Sequence, residues 1–164
     1  MDHPVRDRPA LRPAILSLAL LAATLISAGC GGSRGRPPSR AQLIAAAEAI
    51  CRREQVKLGQ IAQRARERAR PPTTAELIRQ RAAQSQLTTK RLEDLRPPTG
   101  DGDAIKRWLT ARTVAATVAL DLAEAPPTGA ARATRDVAGE LERARVRARG
   151  LARRYGLGLC SEVD

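Results

Sequence analysis

Apolar residues recur at three- and four-residue intervals in four stretches of the chain. In the first, Ile44, Ala47, Cys51, Leu58, Ile61 and Ala65 share one face of a helix, with Glu54 as the one polar member of the stripe. The third carries Ala104, Trp108, Ala111, Ala115, Val118 and Leu122. The fourth runs through Thr134, Val137, Leu141, Ala144, Ala148, Leu151 and Tyr155 without a break. The second is weakest, because Leu77, Ile78, Leu92 and Leu95 bracket a polar centre. No segment alternates apolar and polar residues as a half-buried strand does.

Prolines separate these stretches. Of eleven, eight form the pairs 37–38, 71–72, 97–98 and 126–127. Proline lacks the N–H that a helix needs and clashes with the preceding turn, so each pair stops a helix. Ser39, Thr73, Thr99 and Thr128 follow the pairs and are suited to cap the next helix start. Ser39 with Gln42, and Thr73 with Glu76, have the spacing of capping boxes. Four helices with short proline-led turns predict an all-α, up-down-up-down four-helix bundle over residues 41–164.

One further apolar stretch has a different character. Residues 14–28, AILSLALLAATLISA, carry no charge and follow a start containing Arg6, Arg8 and Arg12. Fifteen residues are short for a spanning helix, which needs roughly 17 at least, but suit the apolar core of an export signal. The run ends in Ser27, Ala28, Gly29 and Cys30. Ala28, Gly29 and Cys30 resemble the end of the bacterial lipobox, with Ser27 standing where that pattern usually has leucine. The resemblance implies a signal peptide over 1–29 and lipid attachment, with palmitate-type acyl chains, at Cys30. An uncleaved signal anchor and ordinary cleavage with a free Cys30 thiol are the other readings of this run. Residues 30–40 (CGGSRGRPPSR) hold no large apolar residue and read as a flexible tether.

Export changes the reading of the remaining cysteines. In an oxidising compartment Cys51 and Cys160 are expected to pair, two free buried thiols being the alternative. Cys51 lies twelve residues past Ser39, about 18 Å along a helix at 1.5 Å per residue. The pairing therefore requires that the tail GLGLC fold back along helix 1, or that helix 1 project below the bundle. Trp108 and Tyr155, the chain's only aromatic residues, fall near the same end. Core packing around the staple is the expected arrangement, with a ligand pocket lined by both as the alternative. One turn further, Glu54 and Arg112 either meet as a partly buried pair or leave Glu54 facing solvent at the stripe's edge.

Charge and chemistry narrow the function classes. The chain is 164 residues long, with 29 basic residues against 17 acidic ones, and nearly all the bases are arginine. Removing residues 1–29 leaves 26 basic and 15 acidic residues, a net charge of +11. The bases concentrate in RARERAR (64–70) and RARVRARGLARR (143–154). Anionic lipids or acidic envelope polymers are the partners such a charge suits at a membrane, unless it forms only a solvated face. Nucleic acid is not expected, since export and the lack of interleaved aromatics both oppose it. His3 is the one histidine and lies in the signal, which leaves no histidine for a triad or a metal site. No Glu-x-x-His motif or phosphate-binding glycine loop is present, GDGD at 100–103 reads as a turn, and Glu93 and Asp94 point apart on a helix. An enzyme, a cofactor and a metal are therefore not expected.

The segments AICRRE (49–54), LEDLRPP (92–98) and RRYGLGLC (153–160) resemble small uncharacterised helical lipoproteins of high-GC actinobacteria, a likeness spanning most of residues 40–160. It implies an anchored, extracytoplasmic helical domain on the outer face of the cell membrane and adds no active site. An interaction or scaffolding module of the cell envelope is the expected role. A small-ligand or lipid carrier using the bundle interior is the alternative, favoured if the bundle encloses a cavity above about 300 Å³.

Overall fold

The computed structural model describes residues 37–125 and 131–163. The apolar run at 14–28 and the lipid-attachment residue Cys30 lie outside the described residues, as does the fourth proline pair with Thr128. Four long helices, α1 (Arg40–Glu67), α2 (Thr74–Glu93), α3 (Gly102–Glu124) and α4 (Ala131–Tyr155), pack as an all-α bundle, followed by a single turn, α5 (Cys160–Val163). No strand occurs among the described residues.

Two helix starts are capped as their sequences require. The Ser39 hydroxyl accepts from the Gln42 N–H at 3.2 Å while the Gln42 side chain accepts from the Ser39 N–H at 2.8 Å. Thr73 and Glu76 repeat the arrangement at 3.2 and 2.6 Å. Each box satisfies two N–H groups that the helix itself cannot. The Thr73 N–H also holds the Glu76 carboxyl below its ordinary pKa.

Thr99 does not cap α3, contrary to its position after a proline pair. The chain turns first, with the Asp101 N–H donating to the Pro98 carbonyl at 3.1 Å and Gly100 at φ +90°. Glycine takes that angle without Cβ strain. Asp101 then occupies the cap position, but its carboxylate makes no cap bond. It accepts instead from the Tyr155 hydroxyl at 2.6 Å.

Neighbouring helices run antiparallel. Arg79, early in α2, donates to the Ala123 carbonyl at the end of α3, and Tyr155, closing α4, meets Asp101 before α3. α3 touches both α2 and α4, so its buried face is wider than its sequence stripe, adding Ile105, Leu109, Ala116, Ala119 and Ala123. Alanine at five of its buried positions lets the flanking helices approach closely.

The core has two parts. The lower one joins Leu43, Ala47 and Ile50 of α1 to Leu92, Ile105, Trp108, Ala152 and Tyr155. The upper one, Ala82, Val118, Ala119 and Leu141, draws only on α2, α3 and α4. No residue of α1 beyond Glu54 is buried. Its outer half, with Leu58, Ile61 and Ala65, is therefore only half-covered. α1 and α4 do not meet along their backbones; α5 stands between them and packs on both.

Candidate functional site

The tail that forms this wedge is built by a glycine stop. At the end of α4 the Leu157 N–H donates to the Ala152 carbonyl at 2.9 Å and the Gly156 N–H to that of Arg153 at 3.0 Å. These are the two bonds of a Schellman ending, which needs the left-handed angle that Gly156 adopts at φ +97°. A Cβ there would also sit 3.4 Å from the Ile44 Cδ1. The reversal drops Leu157 into the core at full burial and lays the tail along α1, where the Leu159 N–H donates to Glu48 at 3.2 Å. Cys160 then reaches Cys51, with Cα atoms 5.1 Å apart across a sequence separation of 109. The tail folds back along helix 1, and helix 1 does not project below the bundle.

Trp108 and Tyr155 lie in the lower core, 1 % and 5 % exposed. They pack around the staple, and neither lines the cleft beside α1 or the groove between α1 and α2. Tyr155 is held between Asp101 and Arg40, whose guanidinium lies 4.4 Å from the ring centroid and donates to the Tyr155 carbonyl at 2.8 Å. Burial, with the Asp101 carboxylate at its hydroxyl, pushes the Tyr155 phenol up from 10.0 to about 12. The fold thus favours the neutral phenol. That stabilisation is full below pH 10 and is lost as pH climbs toward about 12. With a single tyrosine in the chain, phenolate absorbance followed against pH should show one midpoint near 12 in the native protein. Asp101→Asn should lower it, and a wild-type midpoint at 10 would contradict the contact.

Above the staple lies a buried ionic layer. Arg112 is fully buried and donates from Nη2 to both carboxylate oxygens of Glu54, at 2.8 and 3.1 Å. Its Nε donates to Thr89 Oγ1 and its Nη2 to Ser85 Oγ, each at 3.3 Å. The Thr89 hydroxyl spends its own proton on the Ser85 carbonyl at 3.0 Å, which leaves its oxygen free to accept. The polar centre of α2 is thereby explained, since it receives the arginine. Of the two readings of Glu54, the paired one holds, and its burial is complete rather than partial.

One turn beyond this layer along α1, α2 and α3, the bundle opens. A cleft of about 320 Å³ lies between the half-covered part of α1 and the rest of the bundle. Its deep wall is Ala82, Ala115 and Ala119, with Leu58 and Ile78 beside them, and Val163 of α5 closes the lower end. Arg81, exposed, and Arg145, half-buried, stand at its rim. No acidic residue lines it. A second groove, about 420 Å³, continues on the α1–α2 side, where Ile61, Ala62, Ala65 and Leu77 meet Arg66 and again Arg81. Nothing in the composition singles out this place. It exists because a four-residue wedge holds α1 and α4 apart.

No family model matches the chain, no curated protein matches it, and no solved structure matches its fold. Among the described residues no cluster of three or more histidine, cysteine or acidic side chains could hold a metal ion. None of the described helices is long and apolar enough to cross a membrane.

Proposed function

We propose that the chain is a lipid-anchored module of the bacterial cell envelope, tethered through Cys30 to the outer face of the cell membrane and serving there in interaction or scaffolding. The observation that carries this reading is the buried Cys51–Cys160 disulfide. Such bonds persist where the surroundings oxidise thiols, and are rare in a reducing cytosol. The apolar run ending in Ala28-Gly29-Cys30 supplies a route to that compartment, and the proline-stiffened segment to residue 40 supplies the spacer. Two or more acyl chains on one cysteine hold a protein stably at a membrane, where a single chain does not. The arginine-rich faces of α1 and α4 would then lie within reach of anionic head groups or acidic polymers.

Membrane retention tests this directly. Cys30→Ala should remove acyl labelling and abolish the mature lipid-bearing form, while Ser33→Ala in the tether should change neither. Equal acyl labelling of wild type and Cys30→Ala would contradict the anchor.

A second reading, a carrier of a small amphiphilic ligand, is favoured by one specific observation. The apolar cleft above the ionic layer, about 320 Å³, falls within the size range of ligand clefts, although it opens to solvent rather than being enclosed in the bundle interior.

A further inference from the structure

The cleft between α1 and the α2–α4 layer joins an apolar wall to a basic rim. Its wall is aliphatic throughout, from Leu58, Ile78 and three alanines to the Val163 plug. Its rim carries two cations. Neither Arg81 nor Arg145 pairs with an acid among the described residues. Glu54 is held by Arg112 at 2.8 Å and Glu142 by Arg149 at 2.6 Å. An apolar slot alone would take any hydrocarbon. Two guanidinium groups at its mouth, neither paired with an acid among the described residues, favour a molecule whose polar end is an anion, because they bind carboxylate or phosphate oxygens strongly. At about 320 Å³ the cleft lies at the small end of ligand cavities, which suits one chain rather than two.

We infer that this cleft binds a single acyl chain ending in an anionic head, the chain lying against Leu58, Ile78 and Ala115 and the head held by Arg81 and Arg145. The inference rests on the carrier reading above and names its ligand class. A fatty carboxylate and a single-chain phospholipid with a terminal phosphate share this chemistry. The α5 wedge is part of the site, since Val163 forms its lower end and the disulfide fixes that wedge in place.

The test uses the full chain in phosphatidylcholine vesicles. It is photolysed with three diazirine-bearing probes of equal chain length, a fatty acid, a lysophosphatidate and a fatty alcohol, and the labelled peptides are mapped. At least one anionic probe should label the peptides holding Leu58 and Ile78. The double variant R81Q/R145Q should cut that labelling tenfold or more. R143Q/R147Q removes the same charge from exposed positions on α4 and should leave the labelling within twofold. The stronger of the two anionic probes identifies carboxylate or phosphate as the head group. Equal labelling by the anionic probes in wild type and R81Q/R145Q, or labelling by the alcohol that matches theirs, would overturn the role of the arginines while leaving a carrier. No labelling of these peptides by any probe would overturn both.

Discussion

Cys160→Ser will unlatch the C-terminal wedge and cost the domain about 3–5 kcal/mol. The bond closes a separation of 109 residues, and cross-linking a loop of about 100 residues restricts the unfolded chain by up to about 4.7 kcal/mol. Domains of this size are stable by only about 5–15 kcal/mol in total, so the loss is a large fraction of what holds the fold. It also acts on one place. α5 is four residues long and is kept between α1 and α4 by Leu157, Val163 and the disulfide. Denaturant unfolding of wild type with and without reductant, beside Cys51→Ser and Cys160→Ser, should give the same large drop in midpoint for all three altered states. Limited proteolysis should then cut first in Gly156–Leu159. A midpoint unmoved by reductant would show that the wedge is held by packing alone.

Glu54→Ala is the second large effect, about 3–5 kcal/mol, because it leaves Arg112 charged in a fully buried site. The cost belongs to the orphaned charge more than to the lost bond. The double variant Glu54→Leu with Arg112→Met should therefore recover most of the stability, since an apolar pair of similar size needs no compensation. Ser85→Ala, which removes only one long hydrogen bond to Arg112 at 3.3 Å, should cost about 1 kcal/mol. Urea unfolding of wild type, Glu54→Leu, Arg112→Met and their double variant closes the cycle, with Glu54→Ala and Ser85→Ala measured beside it. Near-additive losses in the double variant would contradict a mutually compensating pair.

Much of the fold was legible because it is written locally. Proline pairs stop helices and hydroxyl residues cap them, and a 3–4 stripe on α4 needs no tertiary information to be read. Ser39 and Thr73 behave as their capping boxes require. Thr99 does not, because the turn Pro98–Asp101 intervenes and Asp101 is drawn to Tyr155, a residue 54 positions away. The staple was readable from two leftover thiols, but the sequence left open whether the tail folds back along α1 or α1 projects below the bundle. Glu54 and Arg112 were two options as well, decided by the hydroxyl face of α2 that no periodicity count registers. The cleft was not readable at all. GLGLC has no helical period, and what it does depends on where Gly156 sends it. Once Val163 stands between α1 and α4, Leu58 and Ile61 lose their partner helix and become a wall. Trp108 and Tyr155 are the only aromatics, yet neither lines the cleft rimmed by Arg81 and Arg145, which lies in the opposite half of the bundle among alanines.

An anchored, stapled chain carries two covalent marks, and intact mass measures both at once. Protein taken from native membranes without reductant should have a mass beginning at Cys30, raised by a diacylglycerol-bearing lipid and lowered by two hydrogens, and reductant should restore those two hydrogens. A mass that still includes Met1, or a chain beginning at Cys30 without lipid, would contradict the anchor. An unchanged mass on reduction would contradict the staple.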